Sequence, residues 1–295
     1  MTRLALVVAR HRRHVVIEAD DGSSQICHSA SRSIRPLVGD NVQWEREGDG
    51  TGIVTGIEPR STVLTRVDSR GRGQPIAANL TQLVVVIAAE PEIDWLVLDH
   101  YLVAAELSRL KPLIVFNKTD IEPGPPDELA IYEAIAPIFA ISTYENQIQP
   151  EMLDRLRGER SVLVGQSGVG KSSLLNALLG ESIQPVGELS EKIRQGRHTT
   201  TGTALYRLDN GAELIDSPGV RRYAPFIEHE RDVAHGFREF IEYIAQCRFA
   251  DCSHFAEPDC AVKAAVSAGR IAQRRYDNYR NLYELVAQLR ARREQ

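Results

Sequence analysis

The chain has 295 residues, of which 43% are hydrophobic and 25% charged, a composition typical of globular proteins with two or three domains. The longest apolar run has far fewer than the roughly 20 residues that span a bilayer, and the N-terminus lacks a signal-peptide pattern, so we expect a cytoplasmic protein without membrane contact. The formal net charge of −5 argues against nucleic-acid binding through overall charge, so any such contact must depend on local basic patches.

Residues 1–68 predict a small antiparallel β-barrel. Short apolar segments broken by Gly and Asp follow one another closely, which is typical of barrels with short strands. These segments are Leu4–Val8, Val15–Glu18, Ser24–His28, Val42–Trp44 and Gly52–Ile57. The next stretch, Arg60–Gln74, is rich in Arg, Ser and Gly and is predicted to be a linker.

Residues 75–224 predict an α/β domain with a largely parallel, doubly wound sheet, because buried strands alternate with helical patterns. A helical spacing of apolar residues runs from Trp95 to Ala105. The predicted strands are Leu83–Ala89, Leu113–Phe116, Val162–Val164, Leu205–Leu208 and Glu213–Ile215. Residues 225–295 predict a helical domain, in which Ile271, Tyr279, Leu282, Val286 and Leu289 form one apolar face surrounded by arginines that include Arg275.

A complete phosphate-binding loop lies between a predicted strand and a predicted helix. Its glycines allow backbone N–H groups to surround phosphate oxygens, Lys171 can reach the β- and γ-phosphates, and the Ser172 hydroxyl can bind Mg²⁺. The residues predicted to bind the nucleotide here are Gly165, Gln166, Ser167, Gly168, Val169, Gly170, Lys171, Ser172 and Ser173.

A guanine-reading motif directly follows the strand at 113–116. The motif is Asn117-Lys118-Thr119-Asp120. The Asp120 carboxylate can accept hydrogen bonds from the N1–H and the exocyclic amino group of guanine, a pair of donors that adenine lacks. Asn117 can contact the O6/N7 side of the base, and the aliphatic part of Lys118 can pack on the base. An Asx turn is the alternative for this short motif. Ser142 and Thr143 are predicted to touch the base through backbone groups, or else to be ordinary loop residues.

The third motif, Asp216-Ser217-Pro218-Gly219, lies at the end of another predicted strand. Asp216 is predicted to hold Mg²⁺, and the Gly219 N–H to contact the γ-phosphate. Between this motif and the phosphate loop, Thr199, Thr200 and Thr201 offer hydroxyls that can complete the Mg²⁺ shell, with Thr200 or Thr201 favoured.

The motifs stand in an unusual order. Ordinary GTPases begin with the phosphate loop and end with Asn-Lys-x-Asp, whereas here residues 117–120 precede 165–172, and 216–219 come last. A sheet tolerates this arrangement if the former termini were close together and became joined. The sequence therefore predicts a circularly permuted GTPase.

Over nearly its whole length the chain resembles the ribosome small subunit-dependent GTPase A (RsgA) family. The resemblance depends on the permuted order, on Gly-Arg-His-Thr-Thr-Thr at 196–201, on Asp-Ser-Pro-Gly-Val-Arg at 216–221 and on a Cys/His segment at 247–260. It implies an N-terminal OB-fold at 1–68 that binds RNA or the ribosome, a permuted GTPase domain at 75–224 and a zinc-binding helical domain at 225–295. It also implies a role late in assembly of the 30S subunit.

Cys247, Cys252, His254 and Cys260 supply three thiolates and one imidazole, a closed set suited to structural Zn²⁺. Three buried free cysteines and a surface histidine are the alternative. The resemblance favours one structural zinc ion per chain. The remaining cysteine, Cys27, is isolated and is predicted to be a core residue.

The water-orienting group is not apparent in the sequence. Many GTPases place a glutamine after Asp-x-x-Gly, but here that residue is the apolar Val220, which predicts a low intrinsic rate. His229 is the only candidate we name for the catalytic role, and a solvated surface histidine is the alternative.

The sequence therefore predicts a monomeric GTPase that binds GTP and GDP with Mg²⁺, and the resemblance implies the 30S subunit and 16S rRNA as its partners. The alternatives are an RNA-binding assembly factor with incidental turnover and a permuted GTPase of large-subunit assembly. The arginines that offer RNA a landing surface are Arg10, Arg12, Arg13, Arg32, Arg35, Arg60, Arg66, Arg70 and Arg72.

Overall fold

The computed structural model of the chain describes residues 3–48, 50–68, 70–145, 147–180, 203–216 and 223–294. Its strands form one eleven-stranded sheet and a separate two-stranded hairpin within these ranges. Part of the large sheet closes into a barrel and the rest forms an open sheet, which agrees with the predicted combination of a β-barrel with an α/β domain. The predicted domain boundaries remain predictions.

The first five strands form the barrel. They pair in the order β1-β2-β3-β5-β4, and β4 returns to β1, with Arg3 opposite Trp44 and Leu6 opposite Asn41. Alternate side chains point inward, so Val7, Ile17 and Trp44 are buried in its core. The strands are β1 Arg3–Arg10, β2 Val15–Ala19, β3 Ser24–Ser29, β4 Asn41–Arg46 and β5 Gly52–Ile57.

The segment 60–74 contains regular structure, so the prediction of a linker is wrong. Strands β6 Val63–Val67 and β7 Gly73–Ala78 form an antiparallel hairpin. Leu64 of β6 and Ala77 of β7 are fully buried. The Arg- and Gly-rich residues form only the turn between the strands, where Asp68 accepts hydrogen bonds from the backbone N–H groups of Arg70 and Arg72. The linker was predicted because the Arg and Gly residues of the turn dominate the composition of this segment, although two short apolar strands flank the turn.

The open sheet has the order β10-β9-β8-β11-β13-β12, and its first five strands are parallel. Strand β8 is buried along its whole length because helices and loops cover both faces. The strands are β8 Gln82–Ala88, β9 Lys111–Asn117, β10 Ile138–Ala140, β11 Arg160–Val164, β12 Thr203–Arg207 and β13 Glu213–Asp216; the helices are α1 Trp95–Leu107, α2 Pro150–Leu156 and α3 Lys171–Leu179.

The barrel and the open sheet are continuous. Strand β12 runs antiparallel to β13 on one side and pairs with β1 on the other, with Ala204 opposite Ala9 and Thr203 opposite Arg10. The edge strand of the open sheet is thereby covered, and the barrel is hydrogen-bonded to it. Strand β10, which the sequence analysis did not predict, covers the opposite side by pairing with β9.

The C-terminal region is helical, as predicted. It contains 3₁₀ helices at Glu230–Gly236 and Arg238–Phe240 and the helices α4 Ile241–Ile244, α5 Ala261–Ser267 and α6 Gln273–Arg293. Phe237, Phe240 and Tyr279 form its aromatic core with edge and tilted ring contacts. Within the described ranges, none of the helices has the length and apolar character needed to cross a membrane.

Arg275 is buried, although the sequence predicted it among the surrounding charged residues. Its guanidinium donates to Asp99 on α1 and forms two hydrogen bonds with Glu239, at 2.6 and 3.0 Å. Asn278 donates to the second Asp99 oxygen at 2.7 Å, and the guanidinium lies 4.6 Å from the ring centroid of Phe237. This network joins α6 to the α/β region through α1.

Replacing Asp99 with alanine should lower the free energy of unfolding by about 3–5 kcal/mol, because the buried Arg275 charge would lose a partner. Urea denaturation measures this loss. Asp154→Ala is the control, since Asp154 pairs with Arg157 at the surface, and it should cost at most about 1 kcal/mol. Equal small losses in both variants would show that the network contributes little.

Candidate functional site

The predicted motifs meet at one edge of the open sheet. Parallel strands end at the same edge, so the loops that follow β8, β9, β10 and β11 lie side by side with the end of β13. The register places Asn117 opposite Ala88 and Asp216 opposite Leu163. The base motif, the phosphate loop and Asp216 are therefore neighbours, although their order in the chain is permuted.

Close backbone approaches explain two glycines of the phosphate loop. Gly165 has φ +140°, and a Cβ there would lie 2.1 Å from the carbonyl oxygen of Val86. Gly170 has φ +96°, and a Cβ there would lie 2.2 Å from Asn117 Nδ2. Only glycine fits at these positions, because both the space and the conformation exclude a side chain.

Lys171 begins α3, and its ammonium group lies within the phosphate loop. Nζ donates to the carbonyl oxygens of Gly165 at 2.9 Å and Gln166 at 2.6 Å. Burial lowers the pKa of Lys171, and the charge of Asp216 opposes this effect. The ammonium group is therefore positioned to bind a nucleotide phosphate, whose charged oxygens are stronger acceptors than these two carbonyl oxygens.

The Asn117 side chain joins three loops. Its Nδ2 donates to the carbonyl of Val169 in the phosphate loop at 3.0 Å, and its Oδ1 accepts from the backbone N–H of Thr143 at 3.2 Å. Asn117 and Val169 are both buried. An amide has a second N–H and a second lone pair, so the predicted contact with guanine remains chemically available.

Asp120 and Ser142 are also brought together. Ser142 Oγ donates to Asp120 Oδ1 at 2.6 Å and accepts from the N–H of Glu145 at 3.1 Å, which holds the carboxylate against the loop that follows β10. Thr119 N–H donates to Ile141 O at 3.1 Å, which ties the base motif to the same loop.

The structure describes only some of the residues that are predicted to bind Mg²⁺. Ser172 is exposed at the start of α3, and Asp216 ends β13, the neighbour of the strand that leads into the phosphate loop. Thr199, Thr200, Thr201, Gly219 and Val220 lie outside the described residues. Their predicted roles remain predictions.

His229 is exposed and precedes the 3₁₀ helix at 230–236, where its carbonyl accepts from Asp232 N–H at 3.0 Å. Within the described part of the chain, no hydrogen bond joins it to the phosphate loop. Its catalytic role remains a prediction.

Sequence reasoning missed several contacts that shape the site. Lys118 Nζ donates to the carbonyl of Glu90 at 2.6 Å, and Gln166 Oε1 accepts from Asp94 N–H at 3.3 Å. The loop after β8 therefore holds both the base motif and the phosphate loop. Backbone partners of this kind leave no residue-type signal in a sequence.

The segment that follows 217–222 is anchored to α1. The Tyr223 ring stacks on Tyr101 at 4.4 Å between centroids, and His100 Nδ1 donates to the Tyr223 carbonyl at 3.0 Å. Burial lowers the pKa of His100. The chain leaving the third motif thus has a fixed attachment point on the helix that also contacts α6.

The four predicted metal ligands converge in the C-terminal region. The ligand atoms of Cys247, Cys252, His254 and Cys260 all lie within 4.8 Å of one another. His254 Nδ1 is 3.6 Å from Cys247 Sγ and 3.4 Å from Cys260 Sγ, and these two sulfur atoms are 3.9 Å apart. A tetrahedral zinc site requires ligand separations of about 3.5–3.8 Å, so the four residues could hold a metal ion.

The loop that carries these ligands is held by Glu257. Its carboxylate accepts from Ser253 N at 2.7 Å and from Phe255 N at 3.0 Å. Burial opposes its ionisation, but these bonds and one from Ser253 Oγ lower the pKa of Glu257 to about 2. Burial raises the pKa of Cys252 to about 12, which a divalent cation would reverse because it stabilises thiolates.

Comparison with known proteins gives a consistent result. The family model for the RsgA GTPase matches residues 57–225. A Chromohalobacter salexigens protein named small ribosomal subunit biogenesis GTPase RsgA is 42% identical over 96% of this chain and 86% of its own length. A Pseudomonas putida protein of the same name is 40% identical over 97% of this chain and 86% of its own.

Two solved structures are similar over nearly the whole chain. The crystal structure of YjeQ from Thermotoga maritima has a TM-score of 0.75 and 29% identity, covering 97% of this chain and 99% of its own. The structure of YloQ, described as a circularly permuted GTPase, has a TM-score of 0.71, covers 98% of this chain and 96% of its own, and at 24% identity shows the fold alone.

Replacing Gly170 with alanine should weaken GTP binding at least about tenfold, because its Cβ would displace Asn117 and break the bond to Val169. Titration with a fluorescent GTP analogue measures this change. Gly211→Ala is the matched control. Gly211 also has a positive φ, of +83°, but a Cβ added there would meet no atom within 4 Å. Equal affinity in the two variants would contradict the role given to this contact.

Proposed function

This chain belongs to the RsgA GTPase family, and we propose that it hydrolyses GTP during biogenesis of the small ribosomal subunit. The observation that carries the proposal is the convergence of the phosphate loop, the base motif and the loop at 142–143 on the Asn117 side chain. Those three loops recognise different parts of one guanine nucleotide. The names of the relatives provide the biological setting.

In the proposed reaction, water attacks the γ-phosphorus and GDP leaves with the bridging oxygen. The backbone N–H groups of the phosphate loop and Lys171 Nζ bind the phosphates and stabilise the negative charge that develops on them. Lys171 exchanges its two carbonyl partners for phosphate oxygens, which are stronger acceptors because they are charged.

We propose that Ser172 and Asp216 hold Mg²⁺ together with Thr200 or Thr201. The hydroxyl at the start of α3 and the carboxylate at the end of β13 form an oxygen donor set that suits this hard cation. When bound, the ion neutralises charge on the β- and γ-phosphates. The Gly219 N–H is proposed to contact the γ-phosphate.

The guanine base is proposed to lie between the base motif and the loop at 142–143. The Asp120 carboxylate is oriented by Ser142 and accepts hydrogen bonds from the N1–H and the exocyclic amino group of guanine. Adenine would leave this carboxylate without donors, which disfavours it by orders of magnitude.

A slow intrinsic reaction is part of the proposal. Val220 follows the third motif and cannot orient water, so the isolated protein should hydrolyse GTP at roughly 10⁻⁴ to 10⁻² s⁻¹. The small ribosomal subunit and its 16S rRNA are the proposed partners and act on a monomer in the cytoplasm, where they complete or order the site. His229 remains a candidate for the water-orienting role.

We further propose that the metal ion of the Cys/His cluster is a structural Zn²⁺. Three thiolates and a buried imidazole favour zinc over hard cations, and the set leaves no position open for substrate. Tyr276 and Tyr279 donate to the backbone carbonyls of His254 and Ser253, both at 2.6 Å, which attaches the ligand loop to α6. Bound zinc would fix this loop against the helix.

Purified 30S subunits should accelerate multiple-turnover GTP hydrolysis at least about tenfold, whereas 50S subunits alone should not. Release of phosphate, measured across a titration of each subunit, checks this prediction. Lys171→Ala should remove basal and stimulated activity together, because the phosphates lose their cation. A rate that does not change up to saturating 30S would contradict the proposed partner.

Freshly purified protein should contain about one Zn²⁺ per chain by elemental analysis. Cys252→Ser should lose most of this zinc while retaining GTP binding, because the ligand loop and the phosphate loop lie in different regions. Cys27→Ala is the control, since Cys27 is buried in the barrel core, and it should keep its zinc. Wild-type protein without zinc would contradict the assignment.

A further inference from the structure

The chain that leaves the third nucleotide motif enters a buried junction. Strand β13 ends at Asp216, and Tyr223, seven positions later, is buried in the same core as side chains of α1 and β8. We call residues 223–228 the exit segment. Three elements hold this segment, namely α1, the hairpin formed by β6 and β7, and the C-terminal end of α6.

The contact with α1 uses both the ring and the backbone of Tyr223. The ring stacks on Tyr101 with 4.4 Å between centroids and 20° between planes, and the Tyr223 carbonyl accepts from His100 Nδ1 at 3.0 Å. Burial lowers the pKa of His100, so the imidazole is neutral and carries its one proton on Nδ1, which faces the carbonyl. Its Nε2 atom is buried and has no hydrogen-bond partner within the described ranges. The polar contact that His100 supplies is therefore the bond to Tyr223.

The hairpin and α6 hold the rest of the exit segment. The Tyr223 hydroxyl and the Phe226 N–H both donate to the Thr65 carbonyl, each at 3.3 Å. The Arg293 guanidinium donates to the carbonyls of residues 227 and 228, at 3.3 and 3.1 Å, and lies 5.0 Å from the ring centroid of Phe226. The exit segment is thus fixed to three elements that are distant from one another in the chain.

Tyr101 also reaches the phosphate loop. Burial raises the pKa of Tyr101, and the backbone N–H of Gly165, the first residue of the phosphate loop, opposes this rise. Gly165 follows β11, the strand that pairs with β13. The ring that supports the exit segment therefore lies close to the loop that binds phosphate, so one side chain of α1 supports both.

The connection between Asp216 and Tyr223 consists of residues 217–222, which lie outside the described residues. It includes Gly219, whose N–H is proposed to contact the γ-phosphate. Asp216 is held in the sheet and Tyr223 in the core, so both ends of the connection are fixed. A short chain with two fixed ends has fewer accessible conformations than a chain with one free end. Fixing both ends therefore reduces the entropy that is lost when a group on the connection meets its target.

We propose that Tyr223 is a positioning residue for GTP hydrolysis, because it fixes the end of the chain that carries Gly219 and so directs this N–H to the γ-phosphate. Tyr223 touches neither the nucleotide nor Mg²⁺ and acts through the residues that precede it. The inference rests on the proposed function, since it assigns a role within that reaction. Binding of GDP, which lacks the γ-phosphate, does not depend on this anchor.

Hydrolysis under single-turnover conditions tests the proposal on the full-length chain, with protein in saturating excess over GTP and with or without 30S subunits. Tyr223→Leu should lower the rate constant at least about tenfold in both conditions, because the γ-phosphate contact would no longer be positioned. The Kd for GDP should stay within about twofold of the wild-type value, since the base motif and phosphate loop are unchanged. A wild-type rate constant in this variant would overturn the proposal.

Tyr132→Leu is the matched control. Tyr132 lies in the 3₁₀ helix at 127–132, is fully buried and also stacks on α1, with its ring centroid 5.9 Å from that of Trp95, but it is remote in the chain from the third motif. Thermal unfolding should show that both variants are destabilised, whereas hydrolysis by Tyr132→Leu, measured well below both melting temperatures, should stay within about twofold of wild type. Equal rate losses in the two variants would assign Tyr223 to the core alone and overturn the proposal.

His100 provides a milder test that removes no aromatic stacking. His100→Leu deletes the donor to the Tyr223 carbonyl and should lower the rate constant about threefold or more, whereas His100→Asn places an amide N–H near the position of Nδ1 and should restore most of the rate. A purely structural role would not make the rate follow the hydrogen-bond donor, so equal rates in these two variants would contradict the proposal. Absence of hydrolysis by wild-type protein would overturn the proposed function and this inference with it, whereas equal hydrolysis by wild type and Tyr223→Leu would overturn this inference alone.

Discussion

The structure of the nucleotide site depends on the two hydrogen bonds of the Asn117 side chain. This buried amide at the end of β9 donates to Val169 in the phosphate loop, 52 residues later in the chain, and accepts from Thr143, 26 residues later. Both bonds require that β9, β10 and β11 end at the same edge of one sheet. They do not require any particular order of these strands in the chain. Permutation therefore preserves the site, because the sheet and not the sequence order sets the distances among the loops.

The other regions are attached to this central sheet by different kinds of contact. The barrel joins it through backbone hydrogen bonds between β1 and β12. The C-terminal region joins it through buried charges, Arg275 on α6 with Asp99 on α1. Helix α1 also contacts Tyr223, the first described residue after the third nucleotide motif. His100 and Tyr101, which make this contact, directly follow Asp99 in the chain. One helix thus contacts both the chain that leaves the nucleotide site and the helix that supports the Cys/His cluster.

The parts of the molecule that local sequence determines were predicted, and those that depend on distant partners were not. The phosphate loop, the base motif and the barrel strands each combine an apolar segment with characteristic flanking residues, and the Cys/His cluster is compact in sequence. The hairpin at 63–78 was missed because its Arg- and Gly-rich turn dominates the composition of a short segment. Arg275 was assigned to the surface because its partner Asp99 is 176 residues away.

The most direct test of the account is the base preference of Asp120→Asn. An amide donates where the carboxylate accepted, so in the presence of 30S subunits the variant should lose GTP hydrolysis by on the order of 10²-fold or more and should hydrolyse xanthosine triphosphate instead. Ser142→Ala removes the hydroxyl that binds Asp120 Oδ1 but keeps the carboxylate, so it should still prefer GTP. If Asp120→Asn also retained its preference for GTP over xanthosine triphosphate, the base would not be read by this motif, and the assembled site would not be the guanine-nucleotide site described above.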